Sequence, residues 1–424
     1  MTYKKYHFIF IPVLVLFLIL SITPSGMASQ ENFRLDSNIS KEIFSENKQI
    51  LKLHNQQKLF IPEFKVKGIY VTGWVAGISK RMNHLIKLVE DTEINSMVID
   101  VKDDLGYLSY KSNVNKAINI KANKNKIKNI SSLLNKLDKK GIYTIARIVV
   151  FKDAVLANSN PELALNINKK INKKNKTNIN EDIDFNGKKS LNKKSDDDSN
   201  RDLNPSIKKD RNKNKSKLVT YKSKSWVNPA NAEVWNYNIQ LAREALNLGF
   251  DEVQFDYIRF PALHNNQYAV YNREQSKQKI INDFIATAYN RLSDIDKPIS
   301  IDVFGLTTSV SNDLGIGQNF SQLSQYASII SPMVYPSHYS PGVYGLDIPE
   351  KNPHDIVYQS MIDAKNKTSN KVQIRPWLQD FTLNYKYSVS EVKAQINAVE
   401  SMGVKEWLLW NPRSKYTREA LKKV

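Results

Sequence analysis

Two acids at the ends of short apolar runs are the strongest chemical feature of this chain. Asp256 lies in Gly249-Phe250-Asp251-Glu252-Val253-Gln254-Phe255-Asp256-Tyr257-Ile258-Arg259-Phe260-Pro261, and Asp302 lies in Ile299-Ser300-Ile301-Asp302-Val303-Phe304-Gly305. Side chains alternate between the two faces of a strand. Val253, Phe255 and Tyr257 therefore share one face, with Gln254 and Asp256 on the other. Ser300 and Asp302 oppose Ile301 and Val303 in the same way. If the apolar faces meet helices, both carboxyls point inward. Adjacent strands lie about 4.8 Å apart, close to the roughly 5 Å between the carboxyls of a retaining glycosidase. That chemistry needs one carboxylate nucleophile and one carboxylic acid. The alternatives are an Asp256–Arg259 pair that shapes a loop, and an Asp302 that only hydrogen-bonds backbone.

Other strand-like runs end in residues that suit a substrate-ordering site. Asp100 and Lys102 share a face of one run, Arg147 lies in the next, and Tyr335, Trp377 and Trp410 stand in or at the ends of later ones. Gln254 joins them beside Asp256, Arg259 follows it, His338 sits just past Tyr335, and Asp380 is a reserve acid. Trp74, Tyr335, Tyr339, Trp377 and Trp410 could stack on sugar rings. The six histidines form no His-x-His or His-Glu-x-x-His pair, so no metal site is expected. There is no cysteine for a thiolate site or nucleophile. Phosphate-binding glycine loops and a Gly-x-Ser-x-Gly elbow are also missing, and no cofactor is called for.

The elements that must position these residues alternate. Eight β-rich runs occur, at 68–75, 96–102, 143–150, 252–258, 299–304, 328–335, 372–378 and 406–410. Helical stretches separate them. Asn231 precedes the stripe Val234, Leu241, Ala245 and Leu248, which Gly249 stops. Ser388 and Glu391 have capping-box spacing. Leu133, Leu134 and Leu137 lead to Gly141 just before the third run. Alternating strands and helices imply parallel pairing. Eight such units predict an α/β chain with a (β/α)8 TIM barrel, its site at the C-terminal strand ends.

Composition frames the barrel. Hydrophobic residues make up 41% of the 424, enough for a core. Two Asn/Lys-rich stretches, 166–217 and 111–129, supply 14 of the 20 excess positive charges. They lack the interleaved aromatics of a nucleic-acid groove. They read as solvated loops, with contact to an anionic cell wall or membrane surface as the alternative. Residues 160–225 are accordingly expected to be a disordered insertion after the third strand. At the N-terminus, Lys4 and Lys5 precede the apolar run Phe8–Ile22, and Ser25-Gly26-Met27-Ala28 offers a cleavage site. Residues 1–28 are expected to be a signal peptide or anchor, 29–65 a stalk, and 66–424 the barrel, outside the cytoplasm.

Several motifs together resemble a known family. They are GIYVTGWVA at 68–76, INSMVIDVKDDLGYLSY at 94–110, WVNPANAEVWNY at 226–237, GFDEVQFDYIRFP at 249–261, IDVFGLTT at 301–308, ISPMVYPSHY at 330–339 and RPWLQDF at 375–381. The chain is similar through these to the bacterial putative glycoside hydrolase domain family, barrels distantly similar to alpha-amylases. The resemblance implies a barrel and a glycosidase ancestry. It implies a nucleophile at Asp256 and an acid/base at Asp302, where amylase-like enzymes usually carry Glu, with Asp380 as the substitute acid. The expectation is an exported glycoside hydrolase acting on a cell-wall or extracellular polysaccharide or oligosaccharide. Its rivals are a non-catalytic glycan-binding barrel and an envelope scaffold.

Overall fold

The computed structural model describes residues 61–171, 217–271, 274–369 and 372–424. The expected leader, nearly all of the expected stalk, and residues 172–216 of the insertion lie outside the described residues.

Eight parallel staves close into a barrel. In chain order the strands are β1 (Lys67–Val71), β2 (Ser96–Lys102), β3 (Tyr143–Val149), β4 (Ala164–Ile171), β5 (Lys217–Val227), β6 (Glu252–Asp256), β7 (Gln267–Val270), β8 (Ile299–Phe304), β9 (Ile329–Met333), β10 (Gln373–Ile374), β11 (Trp377–Gln379) and β12 (Trp407–Trp410). The barrel runs β1-β2-β3-β6-β8-β9-β10/β11-β12 and back to β1. The seventh stave is two short strands separated by Arg375 and Pro376. A proline has no N–H to donate to a ladder, so the stave breaks there.

The helices outside the barrel begin and end where the sequence signals them. They include α1 (Ser79–Glu90), α2 (Ile130–Asp138), α3 (Ala232–Leu248), α4 (Lys277–Arg291), α5 (Phe320–Leu323), α6 (Pro353–Lys367) and α7 (Val389–Ser401); three further short helices are Gly73–Ala76, Asn115–Asn119 and Ala154–Ser159. Asn129 caps α2 and Asn231 caps α3 by accepting from backbone N–H groups of the first turn. Gly249 ends α3 at φ 114°, a left-handed conformation that costs glycine little. Ser388 and Glu391 form the capping box of α7.

Two apolar layers follow from strand alternation. Ile69, Met97, Ile99, Ala146, Ile148, Val253, Phe255, Ile301 and Leu409 face the helices. Tyr70, Val98, Ile145, Tyr335, Trp377 and Leu408 fill the interior. The floor of the interior is ionic. Arg375 donates to both oxygens of Glu252 at 2.8 and 3.0 Å, and its Nε donates to Glu406 at 2.9 Å. Ser300 Oγ donates to the same Glu252 at 2.5 Å, and the Tyr143 hydroxyl at 3.1 Å.

The segment expected to be a disordered insertion is ordered at both ends. β4 pairs antiparallel with β5 and with β7, making a three-stranded side sheet in the loops that follow β3 and β6. The signal was local. Leu165 and Ile167 are buried and alternate with partly exposed Asn166 and Asn168. Averaged over 60 residues of Asn and Lys, that two-residue period disappears.

The floor generates a stability prediction. Replacing Arg375 by leucine leaves two buried carboxylates without their cation. Urea unfolding should show a loss of about 3–5 kcal/mol. A loss below about 1 kcal/mol would mean that charge pairing does not hold the floor.

Candidate active site

At the opposite end of the interior, acids from three staves gather around one guanidinium. Asp256 ends β6, while Asp100 and Asp302 each lie two residues before the end of β2 and β8, all 5% exposed or less. Arg147, on β3 between the first two, is 4% exposed. Its Nε and Nη2 donate to Asp256 Oδ2 at 2.9 and 2.5 Å, and its Nη1 donates to Asp100 Oδ1 at 2.6 Å. Asp256 Oδ1 accepts from the Tyr257 backbone N–H at 2.5 Å. Asp100 Oδ2 accepts from the Tyr70 hydroxyl at 2.5 Å. The guanidinium also lies 5.6 Å from the Tyr70 ring and 5.1 Å from the Trp410 ring, which stack on each other at 3.8 Å. Burial disfavours the Arg147 charge, yet Asp256 and Asp100 outweigh it and hold the group above its usual range.

Asp302 has a different environment. Its Oδ1 accepts from the Trp377 indole N–H at 2.8 Å, and no cation is bonded to it among the described residues. Burial, reinforced by the Asp256 charge, drives its carboxyl well above the ordinary aspartate range, against the weaker pull of Arg147 and Trp377. Strands β6 and β8 pair Phe255 with Ile301, so Asp256 and Asp302 come next in register. The Tyr335 hydroxyl is buried with no hydrogen-bond partner among the described residues. Burial and the charges of Asp302 and Asp256 keep that phenol protonated, as a donor without an acceptor.

The structure separates the remaining predicted residues. Gln254 sits below Asp256 and donates to Ser331 at 3.4 Å. Trp410 is partly buried at the mouth, Trp377 is fully buried, and His338 is exposed on the rim 5.3 Å from the Tyr335 ring. Asp256 pairs with Arg147 rather than Arg259. Arg259 lies farther along the β6 loop, against the rings of Trp226 and Tyr257.

One expectation fails for a physical reason. Lys102 does not share a face with Asp100. The register shifts between them, and Lys102 turns toward the helices, pairing with Asp153 at 2.6 Å and Asn238 at 2.9 Å. Both members of that ion pair are fully buried, so Lys102 does not line the mouth. Asp380 accepts from the backbone and hydroxyl of Thr417 at 2.8 and 2.7 Å, which ties it to the chain's C-terminal segment.

Three residues near the site were not singled out from the sequence. Tyr70 was read only as part of a strand, although its hydroxyl holds Asp100. Tyr257 was assigned to the helix-facing side by alternation. It adopts φ 51° directly after Asp256, where the strand ends, and its ring lies against Arg259 and Trp226. Trp226, next to the last residue of β5, stands beside it, with ring centroids 5.9 Å apart. The dense aromatics around the acids were the only available signal.

Comparisons with known proteins agree with this architecture. Residues 68–416 match the family model described as "Putative glycosyl hydrolase domain". The solved structure of a hypothetical protein from Ruminiclostridium thermocellum is 34% identical over 55% of this chain and 97% of its own, with a TM-score of 0.39. The PgaB (BpsB) glycoside hydrolase domain from Bordetella bronchiseptica is 10% identical, covers 85% of this chain and 99% of that domain, and has a TM-score of 0.53. At that identity it speaks for the shared fold alone. No curated protein sequence matches the chain.

The Asp302 environment predicts a pH signature. Its folded pKa lies above the unfolded value, so the folded state holds that proton more tightly. The resulting stabilisation is fully present below the unfolded carboxyl range, about pH 4. It is lost as pH rises through the folded pKa. Asp302→Asn removes this loss, so the variant should gain on the parent as urea midpoints are followed from pH 4 to pH 9. Two parallel curves would contradict the assignment.

Proposed function

We propose, from the premise that the chain belongs to the putative glycosyl hydrolase domain family, that the ring of acids hydrolyses a glycosidic bond of a polysaccharide. One observation carries the reading: neighbouring carboxyls, Asp256 and Asp302, have opposed surroundings. Asp256 faces a guanidinium, and Asp302 is buried against an indole and other acids. Pairs of titratable groups pushed apart by their environments take separate acid and nucleophile roles.

In the first step an Asp256 oxygen bonds to the anomeric carbon as the carbon–oxygen bond to the leaving group breaks. The proton of Asp302 passes to that leaving oxygen. Asp302 Oδ1 is engaged by Trp377, so Oδ2 is the oxygen available for this proton. Water then attacks the anomeric carbon, returns a proton to Asp302 and frees Asp256. Parallel pairing of β6 with β8, with strands typically about 4.8 Å apart, supports this double displacement over an inverting reaction with its intervening water. Trp410 offers a partly exposed ring for stacking, and Tyr335 a donor for a sugar hydroxyl. Lys4, Lys5 and the apolar run after them support export, which puts the substrate in the envelope or outside the cell.

A second reading, a glycan-binding barrel without turnover, draws on the hydrogen bonds at both Asp256 oxygens. A carboxylate so engaged is a weakened nucleophile.

Asp256→Asn should lower kcat/KM by about 1,000-fold or more, with an unchanged circular dichroism spectrum. Undiminished release of reducing ends would end the nucleophile assignment. Glycan retention without release by the parent protein would favour the second reading. In the parent, kcat should fall as pH rises through the Asp302 pKa, because the ionised acid has no proton to give. That limb should be missing in Asp302→Asn, whose residual rate would be low and flat.

A further inference from the structure

Beside the acids stands a cation with no counter-ion among the described residues. Arg259 is partly buried, and among the described residues no carboxylate lies within ion-pairing distance of it. Its one hydrogen bond among those residues is from Nη1 to the Phe260 carbonyl at 3.1 Å. The guanidinium lies 4.9 Å from the Trp226 ring and 5.0 Å from the Tyr257 ring. Those centroids are only 5.9 Å apart, so both rings lie to one side of the cation. Rings supply area and a negative π face, but they do not satisfy N–H donors. Lys152, which shares the Tyr257 ring at 5.2 Å, is paired with Asp104 at 2.8 Å. Burial lowers the Arg259 pKa against the opposing charges of Tyr257 and Asp256, so the site is near enough to Asp256 to feel its charge.

The neighbouring side sheet adds a second, independent observation. Trp226 belongs to β5. The sequences of β4, β5 and β7 contain five lysines and no acid. Lys170, Lys222 and Lys224 are exposed. Arg259 thus lies where a basic sheet meets the mouth of the acid-lined barrel. Unpaired cations on aromatic platforms suit a ring that is flat on one side and negative at its edge.

We propose that Trp226, Tyr257 and Arg259 form a subsite for an acidic sugar, a uronate whose carboxylate pairs with Arg259, and that the side-sheet lysines extend it along a polyanionic glycan. This rests on the reading of the mouth as a glycan-cleaving site and names its substrate class. Arg259 acts on binding and specificity, at some distance from the bond being broken. A carboxylate matches the planar fork of arginine better than the point charge of lysine.

The test uses the full chain with four probes: polygalacturonate oligomers, their carboxyl-reduced counterparts, sulfated galactan oligomers that carry no carboxyl, and chitosan oligomers. Calorimetry measures binding, and a reducing-end assay measures cleavage. The parent should bind polygalacturonate at least ten-fold more tightly than the carboxyl-reduced oligomer. Arg259→Gln should lower that ratio by ten-fold or more, and Arg259→Lys should restore it in part. A merely structural role would weaken both ligands together and leave the ratio unchanged. Lys170→Ser, Lys222→Ser and Lys224→Ser combined should weaken long acidic oligomers several-fold, chiefly at low salt. Tighter binding of the sulfated oligomers would replace the uronate by a sulfated sugar and overturn the substrate assignment. Preference for the neutral or chitosan oligomers would overturn the anionic subsite altogether. Reducing ends released from those oligomers would still uphold the hydrolase reading, whereas an absence of both binding and cleavage across all four would remove both.

Discussion

One buried guanidinium organises the mouth of this barrel. Arg147 spreads its donors over Asp100 on β2 and Asp256 on β6, and lies near the stacked rings of Tyr70 on β1 and Trp410 on β12. Five adjacent staves are tied by that one side chain. Charged groups of this kind are costly to bury alone, and they persist only with good geometry and satisfied neighbours. Asp302 stands on the next stave, β8, and has no bond to Arg147 among the described residues. Its carboxyl is left to burial and to the nearby Asp256 charge, which push it toward the neutral form. The inequality between two acids of one type thus comes from the reach of one arginine.

Small departures from regular strand geometry aim the remaining groups. A register shift after Asp100 sends Lys102 outward to Asp153, so the mouth keeps its acids without that lysine. Tyr257 takes a left-handed backbone that costs a non-glycine residue about 1–2 kcal/mol. Its backbone N–H reaches Asp256, and its ring lies against Arg259. The break around Pro376 lets one stave carry Arg375 at the floor and Trp377 beneath Asp302. Each irregularity falls at a residue that touches an acid or its partner.

The two ends of the interior are built differently. The Glu252–Arg375–Glu406 floor is a buried ionic cluster, with further hydrogen bonds from Ser300 and Tyr143. The mouth leaves the Tyr335 hydroxyl without a hydrogen-bond partner among the described residues and exposes part of Trp410. Barrels of this class place chemistry at the C-terminal strand ends and structural contacts at the other end.

The barrel was legible in the chain because it depends on periodicity. Alternation within 252–256 and 299–304 turned Gln254, Asp256 and Asp302 inward, and the caps at Asn231, Gly249 and Ser388 set the helix ends. These signals are local, and each is carried by a few adjacent residues. The partner of Asp256 was not legible. Arg259 is three residues away and Arg147 is 109 residues away, yet the parallel register of β3 and β6 makes the distant one the neighbour. Lys102 and Tyr257 were misplaced because one shifted residue or one positive φ cancels alternation beyond it. What the sequence determined by itself was the succession of strands and helices and the direction of most side chains along each strand. Which acid meets which cation, and therefore which acid holds its proton, was decided only when the staves closed, because charge interactions depend on distances across the barrel and not along the chain.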